Sequence, residues 1–223
     1  MVLDQLLHRS SLLMQNMWEV LGHPIGGDSG RVILTAEYAV LSLEHCAGVR
    51  CLLESGNMSS APILLRCQFE SLIRSVWIGY CAPQENLGTL GAAIDGGPDQ
   101  KNASLPNASK MLDQLEQVPE VDNVVLSLRE FQSSSWKPLN SYVHAGDHPL
   151  WRQANGYPIE LAVGVLRQSN GLALLAAMQM AILTGVPGLQ RAVLELDGRF
   201  RDCLPPHSSV RESHDPLPPS ECI

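Results

Sequence analysis

The most apolar run of the chain, Gly171–Val186, has few places where it can lie in a folded protein. It is about 16 residues long and contains Gln179, whereas a membrane-spanning helix needs about 20 consecutive apolar residues. We therefore interpret it as part of a helix buried in the core of a globular domain, extending from about residue 159 to residue 183. A helix that is apolar on all sides must be surrounded by other elements of the fold. The rest of the sequence has the apolar spacing of helices, which can surround it.

The composition favours helices over sheets. Aromatic residues make up 5% of the 223 residues, and alternation of Val, Thr and Ile is scarce, which argues against a β-sandwich or a barrel. We predict an all-α fold, a helical bundle with long antiparallel helices, in one domain over residues 1–203. Residues 204–223 contain five prolines among Ser, His and Asp, and are predicted to form an irregular tail.

Apolar spacing and boundary residues place the helices. Ser29 is the predicted N-cap of the second helix, and Pro62 lies in the first turn of the third. Glycines and prolines make residues 83–107 a predicted loop with at most one short helix. The predicted helices cover about residues 3–21, 31–54, 60–80, 108–117 and 122–132, a short segment opened by Pro138, and then residues 159–183 and 187–200.

Charge and cysteine content bear on location and partners. The six cysteines form no CxxC pair, and four lie in apolar helical patterns, so we interpret them as reduced thiols packed as small hydrophobic groups. Residues 1–21 carry charged side chains through their apolar pattern, which is typical of an amphipathic helix and not of a secretory signal. A cytoplasmic protein without a membrane partner is predicted.

The net charge of −8 and the lack of a basic run argue against general nucleic-acid binding.

A polar cluster interrupts the apolar pattern at residues 139–148. Asn140 and His144 are four residues apart and would share one face of a helix. A neutral imidazole can act as a general acid or base near neutral pH, and Asn140 and Ser141 could orient it or bind a ligand. His148 follows a glycine that lets the backbone fold back toward this cluster. Two cations, Lys137 and Arg152, flank it.

A second polar feature lies on the predicted third helix. Arg66, Glu70 and Arg74 follow one another at four-residue steps and form a charged stripe about 12 Å long. Two interpretations remain open. In one, the stripe is a solvated face with two ion pairs along the helix. In the other it faces the Asn140/His144 cluster, so that Glu70 contacts His144 and one arginine binds an anion.

A metal site is the weaker alternative for the same residues. His144 and His148 have the four-residue spacing of two helical ligands, and Asp147 and Glu70 could add oxygens. Gly146 and a proline after His148 oppose a continuous helix through both histidines. No metal and no cofactor are predicted.

These two stretches resemble an uncharacterised bacterial all-helical family. Its members pair the pattern R-x-x-x-E-x-x-x-R-x-x-W, here Arg66 to Trp77, with a later S-[FY]-[VL]-H-[AG]-G segment, here Ser141 to Gly146. That family is distantly similar to the HEPN domains of bacterial toxins and phage-defence systems. Those domains use an Arg-Asn-x-x-x-His motif at a dimer interface as a metal-independent RNase.

The resemblance implies a specific first hypothesis. Asn140 and His144 match the Asn and His of the HEPN motif, and Leu139 occupies the arginine position, so an anion-binding arginine would come from Arg66, Arg74 or Arg152. The implied protein is a HEPN-like member of a toxin–antitoxin or phage-defence system. It would be a homodimer that cleaves RNA and binds an antitoxin or another partner protein.

The second hypothesis is a non-catalytic helical module. It would bind a partner protein or a small anion, with Arg66, Glu70, Arg74 and His144 as a polar network.

Overall fold

The structure is a computed structural model, and it describes residues 2–96 and 105–206. Within these residues every regular element is helical, which confirms the predicted all-α class. Two single-turn 3₁₀ helices, Pro119–Val121 and Arg201–Cys203, accompany nine α-helices in the described part. In chain order these are α1 Val2–Val20, α2 Gly30–Glu54, α3 Ala61–Tyr80, α4 Gln84–Gly96, α5 Ala108–Leu115, α6 Asp122–Val143, α7 Asp147–Asn155, α8 Ile159–Thr184 and α9 Leu189–Arg199.

Three long helices, α2, α3 and α8, form the centre of the domain and pack against one another. Half of the residues of α8 are buried, and a series of alanines on it permits close helix contact. Gly79 on α3 shows how close that contact is, because a Cβ there would lie 3.1 Å from the Gln179 amide nitrogen. The apolar run that begins at Gly171 therefore lies in a core helix, as predicted.

Buried hydrogen bonds fix the register of the central helices. The Gln68 amide on α3 donates to the Ser169 carbonyl of α8 at 2.8 Å, and the Ser169 hydroxyl donates back to Gln68 Oε1 at 2.6 Å. Both residues are fully buried. On the other side of α8, Ser10 of α1 donates to Asn170, whose amide donates to the Cys203 carbonyl. Because buried polar groups are stable only when bonded, one helix alignment satisfies all of them.

Helix starts agree with the predicted capping residues. The Ser29 hydroxyl accepts a hydrogen bond from the Val32 amide at 3.3 Å, as expected of an N-cap. Asn107 caps α5 in the same manner through Lys110 N. Pro62 lies in the first turn of α3, where its missing N–H costs no helical hydrogen bond.

Three elements differ from the predicted ones. A single helix, α6, passes through Pro138, where a new helix was predicted to begin. The carbonyl that Pro138 cannot bond belongs to Ser134, which is exposed, so water can satisfy it. The region predicted as a loop with at most one short helix contains one helix, α4, which at 13 residues is longer than predicted. Residues 97–104 of that region lie outside the described residues. The nine-residue α7 was not predicted, because none of its residues is buried and its sequence therefore shows no helical spacing of apolar residues.

The predicted tail begins at Leu204, and its first residue belongs to the core. Leu204 is 2% exposed, and Pro205 lies against Gly171 of α8. Just before it, Arg9 of α1 forms an ion pair with Asp202 at 2.8 Å, which lowers the pKa of that carboxyl. The rest of the tail, residues 207–223, lies outside the described residues.

Length and mean hydropathy alone would allow α2 and α8 to cross a membrane. In the fold, 44% and 56% of their most apolar windows are buried inside the protein. The core helices of globular proteins often have this length and composition.

Candidate functional site

The charged stripe on α3 forms a ladder of two ion pairs. Arg66 Nε lies 2.8 Å from Glu70 Oε1, and Arg74 Nη1 lies 3.7 Å from Glu70 Oε2. The three side chains are about one-sixth to one-third exposed. Glu70 is thus shared by both arginines, as the spacing along the helix predicted. The pair with Arg74 is the looser one, since it exceeds hydrogen-bond distance.

Helix α6 covers the Arg66 end of the ladder. The Arg66 guanidinium carbon stands 3.6 Å from the centre of the Trp136 ring, a cation–π contact. Phe69 packs against both Phe131 and Trp136 and holds this part of α6 on α3. One nitrogen of Arg66, Nη1, is buried without a hydrogen-bond partner in the described part of the chain. The ladder is therefore part of the α3/α6 contact and not a freely solvated face.

The Asn140/His144 cluster lies at the end of α6. Asn140 is half-buried one helical turn beyond Trp136, and the His144 amide donates to the Asn140 carbonyl at 3.1 Å. His144 is exposed, and its imidazole makes no hydrogen bond within residues 2–96 and 105–206. Among those residues no hydrogen bond or ion pair joins His144 to Glu70. The structure thus brings Arg66, Glu70 and Arg74 together and leaves His144 apart from them in bonding.

The residues after His144 build the turn between α6 and α7. The Gly146 amide donates to the Ser141 carbonyl at 2.8 Å, and the Ala145 amide donates to Tyr142 at 3.4 Å, the two bonds of a Schellman motif. The Ser141 hydroxyl accepts from the His148 amide at 3.0 Å and so caps α7. A Cβ on Gly146 would lie 2.8 Å from that hydroxyl. Ser141 and Gly146 therefore have structural roles in this turn.

Replacing Ala145 by glycine is expected to stabilise the protein. Ala145 has φ +52°, the left-handed conformation that costs an L-residue more than glycine. We expect Ala145→Gly to raise the free energy of unfolding by about 0.5–1 kcal/mol, measured by urea denaturation. Ala154→Gly, at an exposed position inside α7, is the control and should lower it by about 1 kcal/mol. A decrease for both variants would contradict the strain at Ala145.

Leu139 directly precedes Asn140 on α6. It is 5% exposed and belongs to the hydrophobic core. Of the other cations near the cluster, Lys137 is exposed on α6 and Arg152 is half-buried on α7. The Arg152 guanidinium carbon lies 4.5 Å from the centre of the Trp151 ring.

Arg152 lines a polar cavity of about 380 Å³ between two loops. One side is the connection from α2 to α3, including Asn57, Ser59 and Ser60, and the other is the end of α7 with Tyr157. None of the lining side chains is a carboxylate. The Tyr157 hydroxyl is buried without a hydrogen-bond partner of good geometry in the described part, and burial raises its pKa.

Sequence reasoning named Arg152 but missed Asn57, Ser59, Ser60 and Tyr157. A weak signal exists, because Ser59 and Ser60 stand directly before the start of α3, and hydroxyl residues beside the partial positive charge of a helix N-terminus are common in anion sites. The spacing of about 100 residues between the two loops hides their proximity. Among the described residues, no group of three or more His, Cys, Asp or Glu side chains is placed to hold a metal ion.

The fold and the two motif-bearing helices define an all-α protein with a charged ladder at one helix contact and a polar cavity beside it. Residues 39–206 match the model of the family of unknown function DUF6988, and the chain belongs to that family. Both sequence patterns, Arg66–Trp77 and Ser141–Gly146, fall within the matched residues. No curated protein and no solved structure matches the chain.

Proposed function

We propose that this protein is a non-catalytic helical module that binds a small anion, such as a phosphate or carboxylate group, in the cavity lined by Arg152. The observation that carries the proposal is which of the three candidate arginines is already paired with a carboxylate. Arg66 and Arg74 already share Glu70, whereas Arg152 has no carboxylate partner in the described part of the chain. An arginine without a carboxylate partner retains its full donor capacity for a ligand.

The lining of the cavity suits an anion. The side chains of Asn57, Ser59 and Ser60 make no hydrogen bond among the described residues, so their donors are free. The 20-residue helix α3 begins at this wall, and its N-terminal end carries a partial positive charge.

Binding is tested by titrating the full chain with inorganic phosphate and with adenosine monophosphate in a calorimeter. We expect binding that weakens about tenfold or more in Arg152→Gln, since a charge-assisted hydrogen bond is lost. Arg191→Gln is the matched control, because Arg191 is an exposed arginine on α9 whose ion-pair partner in the described part of the chain is Glu195. Absence of binding for both anions, or equal affinity in Arg152→Gln, would overturn the proposal.

The metal-independent RNase of the HEPN type is the second candidate, and the exposure of His144 favours it. Its imidazole is free to meet a ligand, with Asn140 one turn earlier on α6. In such a mechanism His144 would take or give a proton while the 2′-hydroxyl attacks the adjacent phosphate, and an arginine would stabilise the developing charge. The buried Leu139 and the pairing of Glu70 with both arginines weigh against it.

A cleavage assay separates the two candidates. Wild type, His144→Ala and Arg152→Gln are incubated with single-stranded RNA in the presence of a chelator. Cleavage that disappears in His144→Ala would establish the RNase and overturn the non-catalytic proposal. Cleavage that is absent in all three, or equal in all three, would remove the RNase.

A further inference from the structure

A second cavity, a groove beside α2, shares no lining residue with the anion cavity. It has a volume of about 380 Å³ and lies between α2 and α4. Its walls are apolar side chains spaced as on helix faces, with Leu34, Tyr38 and Leu41 on one wall and Leu90 and Ile94 on the other.

The apolar residues of this groove are unusually accessible for their type. Val40 and Leu41 are each 37% exposed and Ile94 is 55% exposed. Ile33, one turn before Glu37 on α2, is also exposed and extends the same face. A contiguous apolar surface of this kind on a folded domain marks a place where another molecule binds.

Two acidic residues give the groove its electrostatic character. Glu37 and Glu44 lie in its lining, seven residues apart on α2, so they are separated by about 10 Å along the helix. Among residues 2–96 and 105–206, no Lys, Arg or His lines the groove. An apolar floor with an acidic edge complements a helix that carries leucine-like residues on one face and Lys or Arg two turns apart beside them.

A second copy of the chain fits this surface poorly. In a symmetric dimer through α2, the same patch meets itself, so Glu37 and Glu44 of one copy would face the same carboxylates of the other. Like charges brought together at an interface are destabilising. The carboxylates also oppose insertion into a lipid surface, where anionic headgroups would repel them.

We propose that the α2/α4 groove is the docking site for a basic amphipathic helix of a partner protein. The apolar face of the partner helix lies on Val40, Leu41 and Ile94. Its cationic residues pair with Glu37 and Glu44. The net charge of −8 favours the approach of a cationic partner.

The test uses the full chain and a panel of three 16-residue helical peptides with a leucine stripe flanked by lysines, each in a different register. Binding is followed by fluorescence anisotropy of a dye on the peptide. We expect at least one peptide to bind. Its affinity should fall about tenfold or more in Leu41→Asp and in the double variant Glu37→Lys/Glu44→Lys. A version of that peptide with glutamates in place of lysines should bind the double variant better than wild type.

Controls make each outcome decisive. Leu194→Asp, at a leucine that is 63% exposed on α9, should leave binding unchanged. A peptide of the same composition with the leucine stripe scrambled should not bind. The proposal is overturned if no peptide of the panel binds or if the charge-reversed pair binds the lysine peptide as wild type does. It is also overturned if Leu41→Asp instead abolishes a dimer seen by sedimentation, or binding to phosphatidylglycerol vesicles.

Discussion

Substituting Gln68 by leucine is expected to lower the free energy of unfolding by about 2–3 kcal/mol, although leucine has nearly the same size. The change removes both hydrogen bonds to Ser169 and takes away the Gln68 acceptor of the buried Ser169 hydroxyl, whereas the Ser169 carbonyl keeps its hydrogen bond within helix α8. An unsatisfied buried polar group costs more than the net value of the bond it has lost. Urea denaturation followed by circular dichroism at 222 nm gives the measurement.

A double-mutant cycle separates the hydrogen bonds from packing. Ser169→Ala removes the hydroxyl partner of Gln68. In Gln68→Leu/Ser169→Ala both side chains are apolar, so neither position has an unpaired side-chain hydrogen-bonding group. The double variant should therefore lose less stability than the sum of the single variants. Gln15→Leu, at an exposed position on α1, is the control and should change stability by about 0.5 kcal/mol or less. Strict additivity would show that the Gln68–Ser169 bonds contribute nothing specific.

Replacing Trp77 by alanine is expected to have the largest effect, a loss of about 3–5 kcal/mol. Trp77 is 0% exposed on α3, so its removal leaves a large cavity that the neighbouring helices cannot fill. Its indole nitrogen also donates to Gln114 Oε1 at 2.6 Å and links α3 to α5. The melting temperature should fall by about 10 °C for a chain of this size.

Trp151→Ala is the matched control for this loss. Trp151 is 55% exposed on α7, so its truncation should change the free energy of unfolding by about 0.5 kcal/mol or less. Trp77→Phe keeps most of the buried volume and removes the indole donor. Its loss in the free energy of unfolding should lie between the losses of Trp77→Ala and Trp151→Ala. Similar losses for Trp77→Ala and Trp151→Ala would contradict the core position of Trp77.

The helical fold was predictable from the sequence because its main elements bury a continuous apolar face. The core helix α8 and the N-cap Ser29 follow from spacing and from boundary chemistry. The continuation of α6 through Pro138 could not be predicted from the sequence. A proline inside a helix is tolerated where the carbonyl that it leaves unbonded meets water, and that exposure depends on the tertiary fold. Helix α7 was missed because it has no buried residue.

The candidate site was predictable only where its residues are neighbours along one helix. The Arg66–Glu70–Arg74 ladder follows from four-residue spacing. The stacking of Arg66 on Trp136 depends on how α6 packs against α3, and the spacing of charges within one helix contains no information on that packing. The cavity around Arg152 joins two loops about 100 residues apart, so the pairing of Ser60 with Arg152 is a property of the fold alone.

The absence of buried residues in α7 has a dynamic consequence. The hydroxyl of Ser141 caps its first turn, and the Gly156 amide closes its last turn on the Arg152 carbonyl, so α7 is secured mainly at its ends. An element held in this way can open without unfolding the core, and its amide hydrogens should exchange faster than those of α3. Because Arg152 lies on α7, an anion bound in the cavity would oppose that opening, and slower exchange of the α7 amides, which all its residues except Pro149 carry, would report occupancy.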